Sequence, residues 1–487
     1  MGSTNFAVKR FGAGKFFTPK FLHEYYNIIV ITIVFGLFGA GRLCRWALVL
    51  CKNKSTKGIL QMRIEELKNS IAAGDFDRDF ELLYNEHEQA RTRYTGAADR
   101  FAELYGEGEG ARLFSAPGRT EVGGNHTDHQ HGCVLAGSVN LDVIAVAAPN
   151  NEGVVRIKSH GFEMDEIDLN TLTPVAAENG KAAALIRGMC AFFKQEGYQI
   201  GGFNAYTTSN VLKGSGLSSS AAFEVLVGVI LNSLYNGGTA ASAVTIAKLA
   251  QKAENQFFGK PCGLMDQMAS SVGGFTAIDF NNPADPIIEK VSFDLAAHGH
   301  SLCIVNTGGN HADLTEDYAA ITRQCKQVSK ALGKEFLREV DESAFYGSIA
   351  ALRDEFGDRA VLRSMHFFAD NKRAVAEKQA LQRDDFNAFL KLITESGNSS
   401  FKYLQNVFSV SAPEEQGLSL ALALTERYLN GLGACRVHGG GFAGTIQAFV
   451  PTNMLAGYKE MIEDVFGRGN CHVLNIRPVG GYALTGK

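Results

Sequence analysis

The 487-residue sequence lacks the features that mark several classes of protein. Its formal net charge is only −4, so it has no basic excess of the kind that nucleic-acid-binding proteins carry. Its nine cysteines are scattered and include no C-x-x-C pair, which favours reduced thiols and the cytosol over a disulfide scaffold. It shows no internal repeat and no low-complexity segment. With 45% apolar and 20% charged residues, it has the composition of an ordinary soluble globular protein.

Residues 1–61 differ from the rest of the chain. Residues 28–41 carry no charge, but two arginines interrupt the apolar run before residues 46–51 resume it. The uncharged run is short for a membrane span, and no A-x-A cleavage site follows it. Met62 opens an amphipathic pattern, as a natural start would. We therefore interpret residues 1–61 as upstream sequence translated from a wrong start, with a membrane anchor as the alternative.

The remaining chain is predicted to be an α+β protein, because helical and alternating apolar patterns are mixed along it. Residues 62–110 form a helical lead with predicted helices at 62–73, 76–92 and 95–105. Residues 111–300 and 301–487 form two further domains. The length of the chain suits this division.

Local patterns predict most of the individual elements. A strand at 111–116 runs into a loop at 117–119. Apolar, β-branched runs at 134–148 and 154–159 flank a turn signal and predict a hairpin. The other predictions are helices at 182–195, 241–257 and 454–466, and strands at 202–208, 275–279, 301–306, 434–437, 445–450 and 472–476.

The most informative stretch runs from Val211 to Asn232, where a glycine- and serine-rich loop separates a strand from an apolar helix. Glycines let the backbone approach a ligand closely. The first N–H groups of a helix lack internal partners and lie at the positive end of its dipole. The stretch therefore predicts a phosphate-binding loop, although it matches neither a Walker loop nor G-x-G-x-x-G. A serine-rich helix cap without a ligand is the alternative.

A second motif at residues 116–132 places Arg119, Asn125, His126 and Asp128 close together. Arginine donates through a fixed fork, carboxylates accept from hydroxyl pairs, and Asn and His do both. These are the groups that a sugar pocket needs. Two alternatives are a polar surface loop and a metal site built from His126, Asp128, His129 and His131.

Three further segments carry candidate chemistry. Glu254 and Asp266, 12 residues apart, would suit a metal ligand and a base, or each is simply solvated. The segment 306–318 ends in Tyr318, which is either a ligand contact or a half-buried helix residue. Glycines at 439–444 predict a tight turn that packs close to backbone or phosphate.

These five ordered segments resemble the motifs of the GHMP small-molecule kinases, and of the galactokinases in particular. The loop G-x-G-L-S-S-S-A-A is similar to the family's phosphate loop, and residues 116–132 are similar to the galactokinase signature. The resemblance covers roughly residues 111–485. It implies a two-domain GHMP kinase fold with the active site between the domains: an N-terminal ribosomal-protein-S5-like α/β domain and a C-terminal ferredoxin-like α+β domain.

Such a kinase uses ATP to convert galactose to galactose 1-phosphate. The resemblance implies that Asp266 is the base and that Arg119 keeps it ionised and stabilises the moving phosphoryl group. Mg²⁺ is expected on Ser220 and Glu254. The implied ATP contacts are Ser159, Gly214, Ser215, Gly216, Leu217, Ser218, Ser219 and Ser220. The implied sugar contacts are Asn125, His126, Thr127, Asp128 and Tyr318. No nucleic-acid or membrane partner is expected, and the chain is predicted to be a cytoplasmic monomer.

One departure from the family pattern bears on the substrate. The usual Glu before the histidine is Asn125 here, and the usual Tyr after the aspartate is His129. At a sugar C6 hydroxyl, Asn retains hydrogen bonding but removes a charge that would repel a C6 carboxylate. Galacturonate is therefore an alternative to galactose, and galacturonokinases also lack that Glu and have Asp-His-Gln in this place.

Two other function classes compete with a kinase. Some relatives of this fold are non-catalytic sugar sensors, but those damage the phosphate loop or the base, and both are intact here. A metal-dependent hydrolase built on His126, His129 and His131 would leave the serine loop unexplained.

Overall fold

The computed structural model describes residues 62–211, 216–260, 262–309 and 314–487, and all of these belong to one compact unit. The interpretation of residues 1–61 lies outside the described residues. Within the described ranges, no helix combines the length and the apolar character that crossing a membrane requires.

Helices and strands are mixed along the chain. The helices are α1 Ile64–Ala73, α2 Asp77–Tyr84, α3 Glu88–Tyr105, α4 Ala182–Gln195, α5 Ser219–Tyr235, α6 Ala243–Ala253, α7 Met265–Val272, α8 Thr315–Ala331, α9 Glu342–Gly347, α10 Ile349–Phe356, α11 Asp358–Gln382, α12 Phe386–Ser399, α13 Gly417–Leu429 and α14 Leu455–Phe466. The strands are β1 Arg112–Gly123, β2 Cys133–Pro149, β3 Val154–Ser159, β4 Met164–Asp168, β5 Phe203–Ser209, β6 Phe275–Asp279, β7 Ile287–Val291, β8 His300–Asn306, β9 Ala434–Val437, β10 Thr445–Pro451, β11 Cys471–Leu474 and β12 Tyr482–Ala483.

The strands form two sheets. The larger sheet has the order β12-β1-β2-β5-β3-β4, with β6 pairing both β2 and β7, and the smaller sheet has the order β11-β8-β10-β9. All pairs are antiparallel except β3 with β5. The α+β class is confirmed. The smaller sheet lies wholly within residues 300–474, whereas β12 returns from the C-terminus to the larger sheet.

The predicted hairpin between residues 134–148 and 154–159 is wrong. Strand β5 inserts between them, pairing antiparallel with β2 from Val143 to Pro149 and parallel with β3. Strand β3 forms its hairpin with β4 instead. The turn signal at Pro149 marks the strand end correctly, but a strand that arrives more than 40 residues later is invisible in local sequence.

Two boundaries also differ from the predictions. Strand β1 does not end in a loop at 117–119 but continues to Gly123, with shifts of register after Pro117 and Glu121. The break between the second and third lead helices falls at residues 85–87, where Asn85 adopts the left-handed conformation at φ 55°. Asn tolerates that conformation better than most residues, so the helix ends there.

Helix α5 is the central buried helix of the larger layer. Its side chains are apolar on nearly all faces, as expected of a helix enclosed by protein, and Val225, Leu226 and Ile230 are fully buried. It packs against β1 and β2. The phosphate loop leads into its N-terminus, so the loop is fixed to a helix that is buried against the larger sheet.

The lead helices α1 to α3 cover the other side of this sheet, where Tyr94 and Phe101 pack with Leu113 and Ile144. A buried ionic cluster joins them to the strands. Asp142 accepts hydrogen bonds from Tyr84, Arg93, Ser115 and Arg477.

We expect Asp142→Ala to be strongly destabilising. Asp142 and Arg477 have no exposed side-chain surface and lie 3.2 Å apart, so removing the carboxylate leaves a buried, unpaired guanidinium. The expected loss is about 3–5 kcal/mol, measured as a fall in the free energy of urea unfolding. The matched control is Asp285→Ala, which breaks the exposed pair with Lys248 and should cost less than about 1 kcal/mol. Equal losses of unfolding free energy in the two variants would contradict a stabilising role for the buried Asp142–Arg477 pair.

Candidate active site

Three side chains from separate elements meet at the end of the phosphate loop. Arg119 on β1 places both Nε and Nη2 2.7 Å from Oδ1 of Asp266 at the start of α7. Ser218 donates from Oγ to the other carboxylate oxygen at 2.6 Å. Arg119 also donates through Nη1 to the carbonyl of Gly216. The structure therefore brings the predicted catalytic pair together and ties it to the loop.

The surroundings of Asp266 favour its ionised form. Burial alone raises the pKa of the carboxyl, but the Arg119 guanidinium and the Ser218 hydroxyl outweigh it, so the pKa lies below its ordinary value. The first turn of a helix also favours a negative charge. The side chain of Asp266 is 30% exposed, so the carboxylate remains accessible to a ligand.

The described part of the phosphate loop has an unusual backbone. Gly216 and Ser218 have φ of 71° and 56°, values that non-glycine residues seldom adopt. The backbone N–H of Arg119 donates to the carbonyl of Leu217 at 3.0 Å, and a Cβ on Gly118 would lie 2.8 Å from that oxygen. The predicted contacts at residues 214 and 215 lie outside the described residues.

His438, which directly precedes the glycine turn at residues 439–444, packs against this loop. A Cβ on Gly216 would lie 3.2 Å from Nδ1 of His438. The His438 ring is itself held between the hydroxyls of Thr120 and Thr445, at 3.1 and 2.9 Å. The close approach explains why glycine occupies position 216.

A cavity of about 900 Å³ opens beside the N-terminus of α5. Ser159, an expected ATP contact, lines it and accepts a hydrogen bond from Thr207 at 2.9 Å. Ser219 and Ser220 line the same cavity. Further lining residues are Phe162, Lys181, Leu185, Asn210, Phe223 and Phe258. The mixture of apolar walls and a few polar groups suits a nucleoside.

The predicted metal pair also comes together. Oγ of Ser220 lies 3.4 Å from Oε1 of Glu254, which begins a π-helical turn, Glu254–Phe258. The Gln267 amide donates to Glu254 at 2.7 Å and to Glu224 at 3.2 Å. Nζ of Lys260 lies 3.4 Å from Oε1 of Glu254, the oxygen that Ser220 also faces.

Glu224 is a buried acid that the sequence reasoning missed. Burial and the charge of Glu254 raise its pKa well above the ordinary value. The available signal was a lone carboxyl in an otherwise apolar helix, four residues after Ser220, which places the two on one face.

The loop between β1 and β2 carries the predicted sugar contacts, and the structure separates them into two groups. Asn125 and Thr127 are fully buried. Thr127 donates to the carbonyls of Gly124 and Cys133. The Asn125 amide donates to Glu121 and to the carbonyl of Gly439 and accepts from two other side chains. The hydrogen-bonding capacity of the Asn125 amide is therefore used within the protein.

His126, Asp128 and Tyr318 are only partly buried. His126 shares a 2.9 Å hydrogen bond between its Nε2 and the carbonyl of Gly440, and the Tyr318 hydroxyl donates to the carbonyl of Gly441 at 2.9 Å. Burial and neighbouring His129 lower the pKa of His126 to about 4, so its ring is neutral.

Asp128 faces the segment that leads to Asp266. A Cβ on Gly263 would lie 2.9 Å from its Oδ2, and both residues line a smaller cavity of about 310 Å³ together with His129.

The histidines of this loop do not assemble as a metal centre. The rings of His126 and His129 are 5.8 Å apart, while His131 stacks on Phe336 at 3.6 Å. In the part of the chain that the structure describes, no three His, Cys, Asp or Glu side chains are grouped to hold a metal ion. The hydrolase hypothesis therefore has no geometric support.

The chain is similar to known proteins over most of its length. The family model for the GHMP kinases N terminal domain matches residues 184–274, and the model for the galactokinase galactose-binding signature matches residues 99–149. Among solved structures, Lactococcus lactis galactokinase complexed with galactose has a TM-score of 0.68 at 23% identity, covering 80% of this chain and 99% of that chain. Methanococcus jannaschii mevalonate kinase has a TM-score of 0.53 at 14% identity, covering 75% and 98%. These structures show the fold.

Curated relatives carry the comparison to the family level. A galactokinase of Actinobacillus pleuropneumoniae serotype 3 is 30% identical over 376 residues, which are 76% of this chain and 92% of that protein. A galactokinase of Streptomyces coelicolor is 30% identical over 369 residues, with the same shares of the two chains. Together with the match to the galactose-binding signature, this agreement over nearly the whole relative shows that the chain belongs to the galactokinase family of the GHMP kinases.

Proposed function

We propose that this protein is a galactokinase that transfers the γ-phosphoryl group of ATP to the anomeric hydroxyl of galactose. The observation that carries the proposal is the carboxylate of Asp266, which Arg119 and Ser218 hold ionised at the end of the phosphate loop. Both curated relatives described above are galactokinases. A cytoplasmic location and a monomeric state stay predictions.

Asp266 is the base in this proposal. Its carboxylate accepts the proton of the anomeric hydroxyl, and its lowered pKa keeps it unprotonated when the substrate arrives. Its Oδ2 has one protein donor, Ser218, and a carboxylate oxygen has room for a second. An aligned base typically contributes about 10²–10⁴-fold to the rate.

Arg119 stabilises the transferring group. Phosphoryl transfer is catalysed mainly by positioning and by charge neutralisation, and a guanidinium fixed in advance needs no reorganisation during the reaction. Arg119 is fixed in this way, because it contacts Asp266 and the Gly216 carbonyl at once. ATP would lie with its base in the cavity lined by Ser159 and its phosphates at residues 216–220.

Ser220 and Glu254 fit Mg²⁺. The hydroxyl and the carboxylate are hard oxygen donors, and Mg²⁺ commonly takes one or two protein ligands beside substrate phosphates. Glu254 is only 2% exposed, and Gln267 fixes the orientation of its carboxylate. When bound, Mg²⁺ would neutralise phosphate charge.

The sugar contacts are proposed to be Asp128, His126 and Tyr318, which are partly exposed. His126 and Tyr318 contact the neighbouring carbonyls of Gly440 and Gly441. Because Nε2 of the neutral His126 ring donates to the Gly440 carbonyl, its Nδ1 is left to accept a hydrogen bond from a sugar hydroxyl. Asn125 acts through the loop that it anchors. Galacturonate remains an alternative substrate, and a panel of sugars separates it from galactose.

The test is ADP release with galactose, galacturonate, galactosamine and glucose, comparing the native protein with Asp266→Asn. We expect galactose to be the best substrate. In the variant, kcat should fall about 10²–10⁴-fold, while ATP binding measured by calorimetry stays nearly unchanged. If the native protein binds both ligands without ADP release, it is a sensor. Full turnover by the variant would remove Asp266 from the mechanism.

A second prediction concerns the pH dependence of kcat/KM. Because Arg119 lowers the pKa of Asp266, the native base stays ionised well into the acidic range, and activity is lost only as pH falls through that lowered pKa. Arg119→Gln removes the charge but keeps donors, so the pKa should rise and the acid limb should move to higher pH. Arg119→Lys is the charge-retaining control. An unmoved acid limb in Arg119→Gln would contradict the electrostatic role.

A further inference from the structure

The loop that carries the proposed sugar contacts is held by helix α11, which lies more than 240 residues later in the sequence. The backbone N–H of Asn125 donates to Oδ2 of Asp370 at 2.8 Å, and the carbonyl of Asn125 accepts from Nε2 of His366 at 2.9 Å. Residues four apart lie on one helix face. A single face of α11 therefore binds both backbone polar groups of one loop residue.

The two helix side chains are fixed themselves. His366 is 1% exposed and Asp370 is fully buried. Because a carbonyl only accepts, Nε2 of His366 carries the hydrogen, and its Nδ1 accepts from Ser399 at 2.9 Å. Burial lowers the pKa of His366, which agrees with this neutral tautomer. Oδ1 of Asp370 pairs with Arg373.

The same helix also holds the far end of the loop. Asn371 accepts from the backbone N–H of Cys133 at 2.7 Å and from Arg338 at 3.0 Å. Neighbouring positions on α11 therefore bind the loop at its entry and at its exit, eight residues apart. The four hydrogen bonds of Asn125 with Asp370 and His366 and of Asn371 with Cys133 and Arg338 do not involve the phosphate loop.

The held segment contains a residue in an unfavourable conformation. His126 follows Asn125 and has φ of 57°, which is uncommon for a residue with a side chain. Such a conformation persists only where its surroundings over-determine it. The conformation directs the His126 ring to the Gly440 carbonyl, beside Tyr318 and the glycine turn.

From these contacts we propose that His366 and Asp370 are positioning residues for the sugar. They hold the Asn125 peptide groups so that His126 and Asp128 face the sugar site. The proposal rests on the sugar-kinase function argued above and extends it to a helix that lies outside both matched family segments. We call the two hydrogen bonds that His366 and Asp370 form with Asn125 the brace. The cavity proposed for the nucleotide is lined by other elements, so loss of the brace should weaken binding of the sugar and leave binding of ATP unchanged.

The experiment compares the native protein with His366→Ala, His366→Gln, Asp370→Asn and the control Ser364→Ala. Gln retains a donor, and Asn retains an acceptor without the charge. Ser364 is also buried on α11 but bonds only to Ala360 of its own helix. Two readouts are taken: the KM values for sugar and ATP, and hydrogen exchange of peptides covering residues 124–133 and 216–225.

For His366→Ala we expect the KM for galactose to rise about tenfold, as for the loss of one hydrogen bond to a buried group, with the KM for ATP within about twofold of native. Exchange should quicken in residues 124–133 and not in 216–225. His366→Gln and Asp370→Asn each keep a group that can bond to Asn125, so they should show only a small part of either effect. Ser364→Ala should show neither.

Two outcomes overturn the brace. One is an equal rise of both KM values with faster exchange in both segments, which would indicate general loosening. The other is native exchange of the loop in His366→Ala. If the native protein phosphorylates no sugar, the proposed function fails separately, and the exchange pattern alone decides whether α11 holds the loop.

Discussion

The ion pair between Arg119 and Asp266 is the contact on which the site depends. It joins β1 to α7 across 147 positions of sequence, and through Ser218 and Gly216 it also fixes the phosphate loop. A charged pair in a mostly buried place is stable only with good geometry and further hydrogen bonds. Here both oxygens of the carboxylate and three nitrogens of the guanidinium are bound, so the sheet, α5 and α7 must all be in place before the site exists.

Much of the site could be predicted because its chemistry lies in short motifs. The glycines and serines of the loop before α5 are typical of a helix N-terminus that binds a ligand. Arg119, Asp266 and Glu254 lie in motifs with recognisable spacing. Helix α4 and strand β6 match their predicted ranges, since their periodicity is unbroken. The order of the strands could not be predicted. Whether β5 or β3 lies next to β2 is decided by pairing between distant segments, and the alternating pattern of each strand allows both.

Roles inside the motifs were harder to predict than the motifs themselves. Asn125 and Asp128 are both polar residues on one short loop, and sequence alone gives them the same use. In the structure one is buried and saturated with protein partners, while the other is partly exposed beside Gly263. The difference comes from α11 and the glycine turn, more than 240 residues away in sequence. Glu224 was missed for the same reason, because its neighbours Gln267 and Glu254 lie on other elements.

The network around Asn125 changes how the residue at this position should be interpreted. Its amide nitrogen donates to Oε1 of Glu121 and to the Gly439 carbonyl, both at 2.7 Å, and its oxygen accepts from Asn406 and Ser400. A carboxylate here would keep the second pair of contacts but would set acceptor against acceptor in the first, since an ionised acid has no hydrogen to donate. Burial makes such a mismatch costly. The amide is therefore required by its protein neighbours, and an uncharged residue at position 125 carries no information about whether the sugar has a hydroxyl or a carboxylate at C6.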